Sequence, residues 1–430
     1  MKIREYDIIV VGAAGYTGRL VAEQIANCDH LLRDATGDRR WAVSGRDETR
    51  TRKALEGLTG GVPPVIEADL TQTSTLHELT GRTKVIINLA GPYTPTAPGL
   101  IAACVETRTS YVDLSGEIPL LKQVIDQFDD AARDVKIRIV QMAGWEALPS
   151  DLTTLLASRR AVAQDGLASQ EGPGASEPVT DVLVTSTFSR KPEGTLPMSE
   201  AVSAGTMSSV IQMLENDQAR LLGRSDILMP AEQGARPAPL RLRPFTINGR
   251  ILACFAPVAF LNAPIIHRTA ALRASESNLV YRSARYREGD DMGSSKGAGA
   301  IKRFAKAWLR TGAQRTIIAL ANAPSPLRSL VASALRSLVP AAGTGPSGRF
   351  QSDWAWTVTA QVTTASGKIG EARLHGRGHP GYTATAAMIA EVGLRIALDR
   401  APDRFGCLTP ALAMGSLDLE PWFVDSLSLA

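Results

Sequence analysis

Residues Asp7-Ile8-Ile9-Val10-Val11 run unbroken into Gly12-Ala13-Ala14-Gly15-Tyr16-Thr17-Gly18 and then into Arg19-Leu20-Val21-Ala22-Glu23-Gln24-Ile25. A continuous β-branched run reads as a strand buried on both faces of a parallel sheet. The glycines read as a turn where backbone must pass close to another group, and the apolar spacing after them as a helix. Strand, glycine turn and helix together offer a phosphate free backbone N–H groups and the positive end of a helix dipole. The spacing is G-x-x-G-x-x-G rather than G-x-G-x-x-G, so the surrounding sequence must support the reading.

It does so by repetition. Strand-like runs recur at Trp41–Gly45, Pro64–Ala68, Lys84–Leu89, Tyr111–Leu114 and Ile137–Gln141, and helical patterns separate them. Six strands alternating with helices predict an α/β fold: a Rossmann-type doubly wound, mostly parallel sheet over residues 1–151. Ligands of such sheets bind beyond the carboxyl ends of the strands. Gly12, Ala14, Gly15, Tyr16, Thr17 and Gly18 are therefore expected around a dinucleotide pyrophosphate. At the second strand end, Ser44-Gly45-Arg46 precedes the first acid, Asp47. An acid there would receive the ribose hydroxyls of NAD, whereas a guanidinium pairs with a 2′-phosphate, so the expected cofactor is NADPH. Asp69 is expected near the adenine, and Asn88, Ala90, Gly91, Pro92 and Tyr93 near the phosphates or nicotinamide.

After residue 151 the pattern changes. Ala161–Pro178 is poor in apolar residues and reads as an exposed loop, Asp181–Ser189 as a strand, and Met198–Leu214 as a helix. Ile301, Phe304, Ala305, Trp308 and Leu309 fall at helical spacing and leave Lys302, Arg303, Lys306 and Arg310 on the other face. That helix fits a membrane surface, a partner or the protein's own core. Trp354, Trp356, Val358, Ala360 and Val362 alternate before a turn at Ser366-Gly367, which predicts an antiparallel hairpin. Residues 152–382 are expected to form an α+β substrate and dimerisation domain. The segment 383–430 is expected to supply a helix and tail that pack back on the first domain.

Composition narrows the function classes. Hydrophobic residues at 44% and charged ones at 21% are ordinary globular values and exclude a disordered or fibrous chain. Cys28, Cys104, Cys254 and Cys407 lack C-x-x-C spacing, and the five histidines form no ligand pair, so no metal is expected. The start shows no signal-peptide core, and Ile251–Ile266 is too short and too interrupted by Pro257 and Pro264 to span a bilayer. These points predict a cytoplasmic protein without a transmembrane segment. A net charge of +4 is too modest to suggest nucleic acid. It is uneven, however: residues 292–352 hold nine Lys and Arg and no Asp or Glu, which favours an acidic partner or an anionic surface.

Several motifs stand together in order: Gly12-x-x-Gly15-Tyr16-Thr17-Gly18, Asn88-Leu89-Ala90-Gly91-Pro92-Tyr93, Tyr111-Val112-Asp113-Leu114-Ser115-Gly116-Glu117 and Leu148-Pro149-Ser150-Asp151-Leu152. Farther on come Ala263-Pro264-Ile265-Ile266-x-Arg268, Gly381-Tyr382-x-Ala384-Thr385-Ala386 and Leu408-Thr409-Pro410-Ala411. In these the chain resembles the saccharopine dehydrogenase-like oxidoreductases, and within them the trans-acting enoyl reductases of polyketide and lipid assembly. The resemblance implies an NADPH-dependent reductase acting on an α,β-unsaturated acyl or polyketide thioester, either free or bound to an acidic acyl carrier protein. It also implies a homodimer.

For that reaction Tyr93 is the expected proton donor, unless it only packs under the cofactor. Asp113 and Glu117 would either anchor a substrate amine or cap the helix beginning at Ile118. Asp151 would cap the helix after it. Arg268 would hold a substrate carboxylate or phosphate, or make an ordinary salt bridge. The apolar Ile251–Ile266 segment would wall an acyl chain, and the basic stretch would dock a carrier protein. Two further readings remain: an imine or amino-acid oxidoreductase of saccharopine type, and a non-catalytic NADPH-binding adaptor that contacts a lipid surface peripherally.

Overall fold

The computed structural model describes residues 4–163, 177–190, 208, 211, 214–215, 221, 224–230, 242–254, 259–274, 279–281, 284–337, 353–415 and 427–429. The expected loop at Ala161–Pro178 and helix at Met198–Leu214 fall largely outside these residues.

The first half alternates as its sequence predicts: β1 (Tyr6–Val11), α1 (Tyr16–Asn27), β2 (Trp41–Gly45), α2 (Glu48–Ala54), β3 (Val65–Glu67), α3 (Thr73–Gly81), β4 (Thr83–Asn88), α4 (Ala97–Thr107), β5 (Ser110–Asp113), α5 (Ile118–Asp134), β6 (Arg138–Val140) and α6 (Leu148–Ala163). The second half holds β7 (Glu177–Arg190), β8 (Phe245–Ile247), β9 (Arg250–Ala253), α7 (Ala259–Leu272), β10 (Leu279–Val280), β11 (Arg285–Ser294), α8 (Ala300–Ala321), α9 (Ser325–Arg336), β12 (Trp354–Thr364) and β13 (Ile369–Arg377). A π-turn at Pro380–Ala384 then leads to α10 (Thr385–Ala397), β14 (Gly406–Leu408), α11 (Pro410–Met414) and β15 (Leu427–Leu429).

One sheet runs β14-β6-β5-β4-β1-β2-β3, and every pairing in it is parallel. All six residues of β1 are buried, as a central strand covered on both faces must be. The strand order reverses between β1 and β4, which opens a crevice at their carboxyl ends. The sequence predicted six strands; β14 adds a seventh beside β6. With only three residues it carries too little alternation to announce itself.

The second sheet runs β15-β13-β12-β7-β11-β9-β8, with β10 also paired to β7. Its middle is the predicted hairpin, in which Trp356, Val358, Ala360 and Val362 turn inward along β12. Between the sheets lies α6, buried at nearly every position from Leu148 to Ala161. It approaches β13 so closely that a Cβ on Gly370 would stand 1.9 Å from the Ala157 carbonyl oxygen.

The C-terminal segment divides between the two sheets. Every residue of α10 is buried, and the helix reaches the parallel sheet at Gly393, whose Cβ would stand 2.5 Å from Ile87 Cδ1. The end of the chain goes to the other sheet, where β15 pairs with β13. The tail therefore does not all pack on the first unit.

Candidate active site

The glycine turn is shaped by close backbone approaches. Gly12 sits at φ +78°, and a Cβ there would lie 2.8 Å from the Ala90 nitrogen and 2.9 Å from the Leu89 carbonyl carbon. A Cβ on Gly18 would lie 2.2 Å from the Gly12 oxygen. Side chains at these two positions would separate β1 from the β4 exit and lift α1 off its turn. At the first turn of α1, Gly15 supplies no side-chain cap and no acid is present. The cradle is thus open to a pyrophosphate, with backbone donors and a dipole end available to it. Ala14, Tyr16 and Thr17 line it and are partly accessible.

Ser44 stands behind this turn rather than in it. Its side chain is fully buried, and its carbonyl oxygen accepts from Gly12 N at 2.9 Å and Ala13 N at 3.3 Å. Arg46 is exposed at the end of β2 and makes no hydrogen bond or ion pair with a described residue. Asp69 accepts from Thr71 N at 3.0 Å and Thr71 Oγ1 at 2.9 Å. These bonds, and less strongly the charge of Arg46, hold its carboxyl below the usual range. An unengaged guanidinium at this strand end fits the 2′-phosphate of NADP.

The ends of β4, β5 and β6 carry a buried polar network. Asn88 Nδ2 donates to Tyr111 Oη at 2.9 Å, and Tyr111 Oη donates to Asp113 Oδ2 at 2.8 Å. Ser115 N reaches Asp113 Oδ1 at 2.9 Å, and Asn88 Oδ1 accepts from Ala90 N at 3.0 Å, which fixes the loop carrying Gly91 and Pro92. Burial, only partly offset by these donors, pushes the Asp113 carboxyl up to about 7. Tyr93 lies over Gly91, where a Cβ would touch its ring at 3.4 Å. Desolvation, then the charges of Asp113, Glu146 and Glu117, raise its phenol well above the usual range. Tyr93 is the weaker acid of this group.

Glu146 was not singled out from the sequence. It follows β6 at Gly144-Trp145-Glu146, and its Oε1 accepts from Gly144 N at 3.1 Å. Desolvation, with Asp113 nearby, pushes its carboxyl up to about 8. Unlike Asp113, it is partly accessible. The strand-end rule that selected Asp113 would have found it had it been applied to the sixth strand.

Beside Glu146 begins a chain of aromatic contacts assembled from five distant parts of the sequence. Trp145 meets Trp356 at 6.1 Å between ring centroids and Phe188 at 5.3 Å. Phe188 meets Trp354 at 6.5 Å, Trp354 meets His379 at 5.0 Å, and His379 meets Tyr382 at 4.9 Å. Tyr382 then meets Tyr16 of the glycine turn, edge to face, at 5.2 Å. Burial pushes His379 down to about 4, so it is a neutral member of this wall. On another side, Leu261 and Ile265 of α7 cluster with Ile118, Met142 and Ala147, and Trp145 packs against them. Of the described residues of the Ile251–Ile266 segment only Leu261 and Ile265 join this cluster; Ala263 and Ile266 enter the main core, and Ile251 and Ala253 pack with Ala307.

Three expectations are corrected. Glu117 occupies the N-cap position of α5 without capping it. Its carboxylate instead accepts from Tyr93 N at 3.2 Å, Thr94 N at 3.0 Å and the Thr94 hydroxyl, and so ties down the loop after β4. Asp113 caps nothing either, because the donors of its own strand ends consume it. Asp151 lies inside α6, which begins at Leu148, and accepts from Ala411 N at 2.9 Å, so it holds the start of α11 rather than of its own helix. Of the two roles expected for Arg268, the ion pair holds and the substrate contact does not: the side chain is buried, meets Asp129 Oδ2 at 3.4 Å, and donates to the Leu228 oxygen at 3.0 Å and the Cys407 oxygen at 2.7 Å. Its fork braces α7 against β14, which leaves it no part in the crevice.

Among the described residues no group of three or more His, Cys, Asp or Glu is placed to hold a metal ion, and no helix is long and apolar enough to cross a membrane. The family model of the saccharopine dehydrogenase NADP binding domain matches residues 8–140. A provisionally named trans-acting enoyl reductase of Mycobacterium tuberculosis is 32% identical over 434 residues, covering 97% of this chain and 95% of the relative. The trans-acting enoyl reductase of Mycobacterium leprae is 32% identical over 429 residues, covering 96% and 94%. Among solved structures, apo saccharopine dehydrogenase (L-Glu forming) from Saccharomyces cerevisiae is 16% identical at a TM-score of 0.48, covering 98% of this chain and 99% of that one. The glycine cradle and the free Arg46 accommodate the cofactor that the family model names, and the protein is an NADP-dependent oxidoreductase. The chain belongs to the saccharopine dehydrogenase-like oxidoreductases, in their trans-acting enoyl reductase branch.

Proposed function

We propose that this protein reduces the α,β-double bond of an acyl or polyketide thioester with NADPH. The observation that carries the reading is Glu146, a carboxyl whose proton affinity is raised by desolvation and by Asp113 of the strand-end network, and which directly follows Trp145 of the aromatic wall in the chain. When bound, NADPH supplies a hydride to the β-carbon. The protein's part is to hold the thioester on the aromatic and Leu261–Ile265 walls, to exclude water, and to return a proton to the α-carbon. Glu146 is the proposed donor, since it holds its proton at neutral pH and is partly accessible. Asp113, Tyr111 and Asn88 position the loop that carries Tyr93. Gly12, Ala14, Gly15, Tyr16, Thr17 and Gly18 are the proposed pyrophosphate cradle, with Arg46 on the 2′-phosphate, Asp69 toward the adenine, and Ala90, Gly91 and Pro92 toward the nicotinamide. In this reading residues 1–151 bind cofactor, residues 152–382 supply most of the substrate wall, and residues 383–430 join the two.

The saccharopine-type reading needs a free carboxylate for an ammonium group. Asp113 and Glu117 are both engaged by protein donors, which favours the thioester. The discriminating experiment follows NADPH oxidation with enoyl thioesters on coenzyme A and on a carrier protein, and with cyclic imines and α-keto acids. Turnover is expected with thioesters alone. NADH should be a poor substitute, with the preference for NADPH falling at least about tenfold in Arg46→Ala. Turnover of imines with silence toward every thioester sinks the proposal.

A further inference from the structure

The helix α8 wears its amphipathic pattern inside out. Its inward face is Ala307, Thr311 and Gln314, all buried and mostly small or polar. The large apolar residues, for which the sequence left a membrane surface, a partner or the protein's own core open, project into solvent: Ile301 is 89% exposed, Leu309 78%, Trp308 43% and Phe304 40%. The next helix, α9, also exposes Leu327 at 47% and Leu330 at 67%. Six of the seven large hydrophobics exposed among the described residues lie on these two consecutive helices. Isolated exposed apolar residues are ordinary, but a contiguous set of this size marks a surface that something covers.

The charges around it identify the occupant. Lys302, Lys306 and Arg315 are exposed and make no hydrogen bond or ion pair with a described residue. Arg303 and Arg310 lie on the basic side of the same helix, Arg303 bonded to the Ser294 oxygen at 2.8 Å and Arg310 near Asp290 at 3.4 Å. No Asp or Glu occurs anywhere in residues 292–352. The core of a protein–protein interface is depleted of charge, whereas here lysines sit directly beside the apolar stripe. Large apolar side chains that include a Trp, flanked by Lys and Arg in a stretch of sequence without Asp or Glu, match a helix lying in the interfacial plane of an anionic bilayer. We infer that α8 and α9 form a docking surface for an anionic membrane, with Ile301, Phe304, Trp308 and Leu309 entering the acyl boundary and Lys302, Lys306 and Arg315 meeting the headgroups.

This inference is independent of the substrate assignment, and its readout does not involve turnover. The full-length protein would be sedimented with vesicles of phosphatidylcholine alone and of equal parts phosphatidylcholine and phosphatidylglycerol. Binding is expected only to the anionic vesicles, weakening as salt is added. The triple variant Lys302→Gln, Lys306→Gln, Arg315→Gln should lower the partition coefficient on the order of 100-fold. The double variant Ile301→Ser, Leu309→Ser should abolish sedimentation. Both variants change only exposed side chains, so both should retain NADPH oxidation with the best substrate of the panel. Failure of the wild type to bind anionic vesicles overturns the inference, as does binding that neither variant weakens. Two other results also overturn it by naming another occupant: a dimer that the Ile301→Ser, Leu309→Ser variant splits, or an acidic carrier protein that the triple variant alone releases while vesicle binding is absent.

Discussion

At the scale of single residues, the site depends on how a carboxyl group keeps a proton at neutral pH. Glu146 and Asp113 have similar chemistry and opposite access. Asp113 is locked by Tyr111, Ser115 and Gln141, whereas Glu146 uses one oxygen on Gly144 N and remains partly accessible. A group with its pKa near 8 acts as a general acid below that value and fails above it. The thioester reductase rate should therefore be flat through neutral pH and fall as pH rises past about 8. In Glu146→Gln, kcat should drop by about 10²–10⁴ and that basic limb should disappear. An unchanged limb in the variant assigns the proton to another group. Tyr93, the donor expected from sequence, follows the end of β4. Its burial among carboxylates makes it a poor acid, and no single-residue rule shows which charges will surround a side chain.

At the scale of elements, α6 joins the two sheets, and Asp151 is its most consequential polar position. The carboxyl accepts from the Thr269 hydroxyl on α7 and from Ala411 N at the start of α11, and burial pushes it up to about 7. The folded value lies above the ordinary one, so between about pH 4 and 7 the folded protein holds this proton while the unfolded chain has released it. Its stabilising contribution is full at low pH and is lost as pH rises through 7. In Asp151→Asn, stability relative to wild type should improve by about 2–3 kcal/mol between pH 5 and pH 8, measured by urea unfolding. Parallel curves would show that this carboxyl does not titrate in that range. The elements of the first half were legible because each is a long run with one period. The spacing of Ile301, Phe304, Trp308 and Leu309 was equally legible as a helix, but spacing cannot say whether the apolar face turns in or out.

At the scale of the whole molecule, the C-terminal segment closes the structure. Cys407 and Leu408 of β14 are buried against β6, Leu412 and Met414 of α11 enter the main core, and Arg395 of α10 donates to the Met414 oxygen at 3.0 Å. Removing residues 404–430 strips the parallel sheet of an edge strand and uncovers that core. The thermal midpoint should fall on the order of 10 °C or more, or the chain should fail to fold. A truncated protein that melts with the wild type would show the segment to be dispensable.

The sequence by itself determined the parallel sheet, the glycine turn between its first strand and helix, the exposed basic residue at the end of the second strand, and the hairpin. Each is encoded within a window of a dozen or so residues, where backbone geometry and hydrophobic period act directly. The tertiary structure alone decided which polar groups share a buried environment: desolvation raises Tyr93, Asp113 and Glu146, and the charge of Asp113 adds to the shifts of Tyr93 and Glu146. It decided the aromatic wall, gathered from residues 16 to 382, and it turned Arg268 and Asp151 into braces by bringing distant backbone to them. It also turned the apolar face of α8 outward, since a helix buries whichever side finds a neighbour, and here that side is Ala307, Thr311 and Gln314.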